Sequence, residues 1–280
     1  MRIAISNIAW DVTEDKAIAV LLNKHGIDVI DVAPGKYFQD PKIASTSDII
    51  RVRDWWHQRG ILINGMQALL YGTSGLNLFG SNETQTAMLN HLESVCLIGA
   101  GLGATKLVFG SPKNRDRSAL ADDVAREMAV SFFHRLGDIA SQHSLMVCLE
   151  PNPTCYGSNF MINNTETASI VTDVAHPAIR MQLDTGALVI NGEDLLKVVK
   201  EHESIIGHVH VSEPDLVTLG DGRTDHALVA ETLRAYLPEQ VVTIEMLPAK
   251  NESNIVAIER ALVLANQHYR VSDPRKGDAA

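Results

Sequence analysis

The sequence contains only three cysteines, Cys96, Cys148 and Cys155, and it has no CxxC pair. An odd cysteine count without that spacing indicates reduced thiols, so we expect a cytoplasmic protein. No apolar run approaches the roughly 18 residues that a membrane-spanning helix needs. The first segment turns polar at Ser6 and Asn7, which interrupts the apolar core that a secretory signal requires. These absences predict a protein without a membrane partner.

Positive charge is also scarce. The chain has 24 Lys and Arg residues against 34 Asp and Glu residues, which gives a formal net charge of −10 at pH 7. A nucleic-acid backbone requires a basic binding surface, so we do not expect nucleic acid as a partner. The same charge balance still allows a small anionic substrate that is held by a few local cations.

No low-complexity run or charge block divides the chain. Its 280 residues suit one (β/α)8 barrel, a fold that typically has about 250 residues. We therefore predict a single domain over residues 1–271. The final segment, residues 272–280 with the sequence SDPRKGDAA, is predicted to be a disordered tail.

Eight short apolar runs alternate with amphipathic stretches along the chain. The predicted strands are Ile3–Ile8, Ile27–Val32, Ile61–Met66, Thr105–Phe109, Leu145–Leu149, Ile179–Leu183, Ile205–Val209 and Val241–Ile244. The predicted helices are Thr13–His25, Ser47–Arg59, Asn82–Leu97, Ser118–His143, Thr165–Ala175, Glu193–Lys200, His226–Tyr236 and Glu252–His268. This alternation favours an α/β fold with a closed parallel (β/α)8 or TIM barrel over an open doubly wound sheet.

The glycine-rich segment from Gly99 to Gly103 resembles a dinucleotide-binding fingerprint. It follows a predicted helix and precedes a predicted strand, whereas that fingerprint lies at a strand-to-helix turn. We therefore interpret the segment as the end of a helix and a tight return at the bottom of the barrel.

Four residues that bind hard metal ions follow the last four predicted strands: Glu150, Asp184, His210 and Glu245. Each interval between them has room for a helix and a return strand. Parallel strands connected in this way bring their C-terminal ends to one face, where barrel enzymes have their active sites. Three carboxylates and one imidazole suit one divalent ion, Mn²⁺ or Mg²⁺, although Co²⁺ or Zn²⁺ would also fit.

Other polar residues at the predicted rim are candidates for substrate binding. Asn7 and Gln67 end the first and third strands, and Asn152 follows Glu150. In the seventh strand, alternation directs His208 and His210 to the same face. His210 is nearer the C-terminal rim and is assigned to the metal, so His208 is expected to support the site or to contact substrate.

Four sequence blocks carry a family resemblance: CLEPNP at 148–153, QLDTGA at 182–187, GHVHVSE at 207–213 and TIEML at 243–247. They resemble the xylose-isomerase-like barrel superfamily of sugar isomerases and epimerases, and most of all its ketose 3-epimerases and hydroxypyruvate isomerases. The resemblance extends over nearly the whole chain in organisation and is specific in these blocks. It implies that one divalent metal is bound by Glu150, Asp184, His210 and Glu245. It also implies that Glu150 and Glu245 exchange a substrate proton through a metal-stabilised enediolate.

The resemblance also implies substrate contacts for Glu213 and for Arg223, which lies in a glycine-rich loop after the seventh strand. The chain departs from the epimerases at three positions that contact substrate in that family. Ala187, Leu216 and Gly157 stand where the epimerases have a histidine, an arginine and a glutamate. We therefore expect a carbohydrate substrate that is not a simple free ketohexose.

Other function classes are compatible with the sequence. A metal-dependent dehydratase or lyase of a polyol-derived ketone, of the inosose or dehydroshikimate type, would use the same enolate chemistry. An abasic-site endonuclease would need a histidine-rich, multi-zinc site and a basic groove, which the acidic composition disfavours. A third class is a sugar-binding or assembly protein that has lost its activity together with the missing substrate contacts. A homo-oligomer is compatible with each of these hypotheses.

Overall fold

Eight parallel strands form a closed barrel in the computed structural model of the chain, which describes residues 1–118 and 120–270. The strands are β1 (Ile3–Ser6), β2 (Val29–Val32), β3 (Leu62–Met66), β4 (Lys106–Phe109), β5 (Met146–Leu149), β6 (Ile179–Asp184), β7 (Ile206–Ser212) and β8 (Val242–Glu245). Each strand pairs with its neighbours in sequence, and β1 also pairs with β8, with Ile3 opposite Val242. The predicted (β/α)8 barrel is confirmed.

Nine α-helices surround the strands in the described ranges. They are α1 (Asp15–Lys24), α2 (Thr46–His57), α3 (Asn82–Leu102), α4 (Asp122–Gln142), α5 (Asn164–Val174), α6 (Thr185–Asn191), α7 (Leu195–His202), α8 (His226–Tyr236) and α9 (Asn254–Tyr269). Eight of them are the predicted return helices. The short helix α6 was not predicted, and it begins immediately after the last residue of β6.

Helix α1 begins later than predicted. Thr13 was expected near its start, but a separate 3-10 turn occupies Val12–Glu14. Asp11 accepts a hydrogen bond from the Thr13 backbone nitrogen at 2.9 Å and caps that turn. The α-helix then starts at Asp15, because the cap satisfies the first free N–H groups one turn earlier.

The glycine-rich segment lies within and at the end of α3, which extends beyond the predicted end at Leu97. A Cβ on Gly101 would lie 2.7 Å from the Ile49 side chain, so this glycine allows α3 to approach α2 closely. The helix ends at Gly103, whose φ of 84° is left-handed and therefore favourable for glycine. The interpretation of this segment as a helix end with a tight return is confirmed.

Two shifts in strand register orient side chains inside the barrel. Between β2 and β3 the register shifts so that Asp31 lies opposite Gly65. Between β6 and β7 it shifts so that Gln182 lies opposite His208. Irregularities of this kind redirect side chains next to active sites, and both of these lie close to the residues described below.

The buried apolar residues form one cluster that joins the strands to the inner faces of the helices.

None of the helices in the described ranges has the length and apolar character that a membrane crossing requires. The predicted disordered tail, residues 272–280, lies outside the described residues.

Candidate metal centre

Four side chains meet at the C-terminal end of the barrel. Glu150 follows β5, Asp184 ends β6, His210 lies in β7 and Glu245 ends β8. One ligand atom from each residue lies within 4.8 Å of the others. His210 Nδ1 is 3.1 Å from Glu245 Oε2, 3.3 Å from Glu150 Oε1 and 4.0 Å from Asp184 Oδ2. The fold therefore brings all four predicted metal ligands together.

Asp184 is oriented by the start of α6. Its Oδ1 accepts a hydrogen bond from Ala187 N at 2.6 Å and another from Ser212 Oγ at 3.0 Å. As the N-cap of α6, Asp184 satisfies a backbone N–H that the first helical turn leaves free. Both donors use the same oxygen, so Oδ2 is the oxygen that faces His210.

The two glutamates are oriented in a similar way. Gln67 Nε2 donates to Glu245 Oε1 at 2.5 Å, and Asn152 Nδ2 donates to Glu150 Oε2 at 3.1 Å. In both residues the second carboxylate oxygen faces His210. Among the described residues, Glu150 Oε1 has no hydrogen-bond partner although it is buried. A buried polar atom without a partner costs about 1–3 kcal/mol, and a bound cation would remove that cost.

The charges in this cluster are unbalanced. Burial raises the pKa of Asp184 well above its ordinary value, and the negative charges of Glu245 and Glu150 raise it further. Burial alone would lower the pKa of His210, yet the same two glutamates hold it well above its ordinary value. Both shifts share one cause, which is the crowding of three carboxylates without a balancing positive charge. A divalent cation fits this donor set and would supply the missing positive charge.

A cleft of about 290 Å³ gives access to the cluster. Its lining includes Glu150, Asp184 and Glu245, together with Pro112, Pro151, Asn152, Pro153, Tyr156, Gly186, Ala187, Glu213 and Leu216. The Tyr156 hydroxyl accepts a hydrogen bond from Asp215 N at 2.8 Å, which connects the loop after β5 to the loop after β7. A ligand in this cleft would reach the carboxylates between largely apolar walls.

Comparison with known sequences identifies the family. Residues 20–264 match the profile described as the xylose isomerase-like TIM barrel. The chain belongs to this family. The resemblance inferred from the four sequence blocks is thereby confirmed at the level of the family. The search of curated proteins finds no significant match.

Solved structures that are similar to this xylose isomerase-like barrel include two sugar epimerases and a zinc-bound protein. D-psicose 3-epimerase from Clostridium cellulolyticum H10, solved with D-tagatose, has a TM-score of 0.81 at 16% identity, over 97% of this chain and 100% of that chain. The 3-keto-D-glucoside 4-epimerase YcjR from E. coli has a TM-score of 0.79 at 17% identity, over 95% and 99%. The IOLI protein, solved with a bound zinc atom, has a TM-score of 0.75 at 16% identity, over 97% and 100%. At these identities the likeness establishes a shared fold.

Among the predicted substrate-binding residues of this barrel, Asn7 connects two loops. Its Oδ1 accepts a hydrogen bond from Ala33 N at 2.7 Å, and its backbone oxygen accepts one from Lys36 Nζ at 2.7 Å. Lys36 also donates to the backbone oxygen of Trp10. Asn7 is fully buried and does not belong to the cleft lining. Its position therefore favours a role in holding the rim rather than a substrate contact.

His208 lies inside the barrel, next to His210. Its Nε2 is 2.8 Å from Asp31 Oδ2, and its Nδ1 is 2.9 Å from the Gln182 amide. Thr243 Oγ1 donates to the same Asp31 oxygen at 2.9 Å. All of these side chains are buried. Of the two roles expected for His208, this position favours support of the metal site.

Glu213 holds the loop after β7 in place. Its Oε1 accepts hydrogen bonds from Gly220 N and His226 Nε2, both at 3.0 Å, and its Oε2 accepts one from Thr224 N at 2.9 Å. Burial opposes the ionised form, but these donors, led by His226, lower the pKa of Glu213 to about 2. Arg223 is exposed on the same loop. Both carboxylate oxygens of Glu213 thus accept hydrogen bonds that hold the loop, although the residue also contributes to the cleft wall.

Three residues near the site escaped sequence analysis. Asp31 is an isolated charge in the apolar strand β2, and that pattern was a signal that it has a special role. Ser212 follows His210 by two residues, so strand alternation directs it to the same face. Arg115 is fully buried and donates to the Glu150 backbone oxygen at 2.7 Å. Burial lowers the pKa of Arg115 to about 10, and no motif in the sequence marks this residue.

Proposed function

We propose that the protein is a divalent-metal-dependent isomerase or epimerase that acts on a sugar or sugar phosphate. The observation that carries the proposal is the convergence of Glu150, Asp184, His210 and Glu245 within 4.8 Å beside a cleft. Membership of the xylose isomerase-like family agrees with it, as do the epimerases that share the fold. The expected partner is a small-molecule carbohydrate.

The four residues would hold one metal ion. Their three carboxylates and one imidazole favour Mn²⁺ or Mg²⁺, and Co²⁺ or Zn²⁺ would also be accepted. The buried Glu150 Oε1 has no hydrogen-bond partner in the described part of the chain, and a bound cation would supply one. When bound, the ion is a Lewis acid that stabilises negative charge developing on a substrate carbonyl oxygen.

Glu150 and Glu245 are the proton carriers in this proposal. A carboxylate within reach of a carbon next to a carbonyl can remove its proton, and a second carboxylate can return one. Glu150 follows β5 and Glu245 ends β8, three strands further around the barrel, so in this proposal the two carboxylates flank the substrate. Return of the proton to the opposite face inverts the carbon, whereas return to the neighbouring carbon interconverts aldose and ketose.

Gln67 and Asn152 would orient these carriers and contact the substrate. Each donates to one oxygen of a glutamate and leaves the other oxygen toward His210. Gln67 does not belong to the cleft lining, but its Oε1 is buried without a partner among the described residues, so unlike Asn7 it has a free acceptor for a substrate hydroxyl. Glu213 would act through the loop that it holds. The exposed Arg223 on that loop is our candidate for binding a phosphate or another anionic group.

The cleft walls favour a substrate larger or more modified than a free ketohexose. Ala187 and Leu216 line the cleft at positions where the family resemblance implies polar substrate contacts. Gly157, the third such position, has open space where a side chain would begin. A cleft with fewer hydrogen-bonding partners leaves sugar hydroxyls unsatisfied, at about 1–3 kcal/mol for each buried group.

Solvent-hydrogen exchange tests this function. Metal-loaded protein is incubated in D₂O with a panel of ketoses, ketose phosphates and inososes, and the products are followed by NMR and mass spectrometry. Deuterium at the carbon next to the carbonyl, together with an epimer or isomer, is the expected result. Loss of water would identify a dehydratase instead. Turnover without deuterium would replace proton transfer by a hydride shift, and no reaction with any probe would overturn the proposed function.

A further inference from the structure

A second buried group adjoins the metal ligands. Asp31, His208 and His210 each contribute a ligand atom, and these atoms lie within 4.8 Å of one another. Asp31 Oδ2 is paired with His208 Nε2 at 2.8 Å and accepts from Thr243 Oγ1 at 2.9 Å. The other oxygen, Asp31 Oδ1, is buried and has no hydrogen-bond partner within the described ranges.

His210 has a matching atom. Its Nδ1 faces Glu150, Asp184 and Glu245, whereas its Nε2 is buried without a partner in the same described ranges. A neutral imidazole that binds metal through one nitrogen carries a proton on the other, and metal-binding histidines usually donate that proton to a carboxylate, a carbonyl or water. Asp31, whose Oδ1 has no partner in those ranges, belongs to the same buried group of three side chains.

We propose that Asp31 is a positioning residue for the metal-binding histidine. It accepts the Nε2 proton of His210, directly or through one water molecule, and so directs Nδ1 toward the metal. Asp31 touches neither metal nor substrate in this arrangement, and it acts only through His210. The inference rests on the proposed function, because it requires His210 to be a metal ligand.

The barrel keeps Asp31 available for this role. A Cβ on Gly65, which lies opposite Asp31, would be only 2.8 Å from Asp31 Oδ1, so the glycine leaves room for the carboxylate. With its amide nitrogen toward His208, Gln182 donates to His208 Nδ1 at 2.9 Å, and its amide oxygen accepts from His210 N at 3.0 Å and lies 3.2 Å from His210 Nδ1. Because His208 Nδ1 then accepts a hydrogen bond, the ring proton of His208 is on Nε2, which donates to Asp31 Oδ2. Asp31 Oδ1 is therefore left for His210.

Removal of such an outer carboxylate typically weakens metal binding by about 10- to 100-fold. We expect Asp31→Asn, which keeps the side-chain shape and removes the charge, to raise the Mn²⁺ dissociation constant by about that factor. The matched control is Asp15→Asn, because Asp15 is also a buried carboxylate that accepts from two side chains, Trp10 at 2.7 Å and Tyr37 at 2.9 Å. The control should change the constant by less than about threefold.

Isothermal titration of metal-stripped protein with Mn²⁺ measures both constants without an activity assay. Unchanged affinity in Asp31→Asn would overturn the role of Asp31. Equal weakening in both variants would also overturn it, since a general loss of packing would then explain the effect. Two ions per wild-type chain, with the second lost in Asp31→Asn, would make Asp31 a direct ligand and contradict the inference.

NMR of the wild-type protein covers the case in which Asp31→Asn does not fold. Long-range ¹H–¹⁵N spectra of histidine-labelled, Zn²⁺-loaded protein identify the protonated ring nitrogen of His210. Protonated Nε2 with metal-bound Nδ1 is expected, and the reverse assignment would overturn the inference.

The His210→Ala variant distinguishes failure of the proposed function from failure of this inference. If it binds Mn²⁺ like the wild type, the metal site itself fails; if only Asp31→Asn retains full affinity, the role of Asp31 alone fails.

Discussion

The Gln67 side-chain amide donates a 2.5 Å hydrogen bond to Oε1 of Glu245, from the loop after β3 to the end of β8. Because the nitrogen faces the carboxylate, Gln67 Oε1 must turn away, and it has no partner in the described part of the chain. Glu245 Oε2 lies 3.1 Å from His210 Nδ1. One amide thus orients a proposed proton carrier through its nitrogen and leaves its oxygen free as a proposed acceptor for substrate.

Loss of a metal ligand should lower metal content. Asp184→Asn and His210→Ala should each bind clearly less than one ion per chain after dialysis against limiting Mn²⁺, as measured by plasma emission spectrometry. Added Mn²⁺ should no longer stabilise them, whereas saturation at about 100 times the dissociation constant stabilises a native protein by about 2.7 kcal/mol. Asp138→Asn, at an exposed position on α4, is the control. Undiminished metal content in both variants would contradict the assignment.

Glu150→Gln and Glu245→Gln should retain the fold but lose most turnover. Positioned acid–base groups contribute roughly 100- to 10,000-fold in rate, so we expect kcat to fall within that range at saturating metal. Circular dichroism checks the fold, and deuterium incorporation checks the proton transfer. If either variant turned over substrate at the wild-type rate, that glutamate would not be a proton carrier.

A methyl group at Gly110 should disturb Glu150. A Cβ built on Gly110 overlaps Glu150 Oε2, so the Gly110→Ala variant must displace the carboxylate. We expect turnover to fall by about tenfold or more, with a higher Mn²⁺ dissociation constant. Gly35→Ala is the matched control, since a Cβ there meets no atom within 4 Å. Equal activity of the two variants would show that Glu150 can move without functional cost.

Glu213 should make stability depend on pH in the acid range. Its pKa is about 2 in the folded protein, against an ordinary value of 4.5. The unfolded chain therefore binds more protons between these values, so the stabilisation is complete above pH 4.5 and is lost as pH falls toward 2. Glu213→Gln should lower the free energy of unfolding at pH 7 by about 1.5–3 kcal/mol.

Urea unfolding at pH 7 and pH 3 measures this contribution. The free energy of unfolding should differ less between wild type and Glu213→Gln at pH 3 than at pH 7. At pH 3 the unfolded wild-type chain takes up a proton on Glu213, which favours unfolding of the wild type. Glu239→Gln, at an exposed position, should leave the free energy of unfolding nearly unchanged at both values. A difference that is constant with pH would mean that the Glu213 hydrogen bonds do not require its charge.

Substrate preference should reflect the apolar cleft. We expect a modified or phosphorylated sugar to exceed fructose, tagatose and psicose by at least about tenfold in kcat/KM, which equals about 1.4 kcal/mol of transition-state binding. Steady-state kinetics with matched free and phosphorylated ketoses measures the ratio. Similar values for free and modified sugars would show that other residues replace the contacts missing at Ala187, Leu216 and Gly157.

The position of each predicted substrate contact depends on partners that the sequence does not reveal. Asn7, Gln67 and Asn152 all stand at rim positions in the sequence, yet Asn7 turns toward a loop nitrogen while the other two turn toward glutamates. The sequence predicts that His208 and His210 lie on the same face of β7. It does not predict that His208 pairs with Asp31 inside the barrel, at 2.8 Å, instead of facing the substrate cleft. Contacts between distant strands decide these orientations.

The sequence by itself determined the barrel and the four residues that converge at its rim. Strand periodicity, helix signals and the residue that follows each strand are local properties, and a parallel barrel brings strand ends together whatever its detailed packing. Only the tertiary structure decided how Asp31 and Gln182 approach the proposed metal ligands. Those approaches depend on two register shifts and on ring closure, which join residues far apart in sequence. No local pattern encodes such geometry, because it exists only once all eight strands are paired.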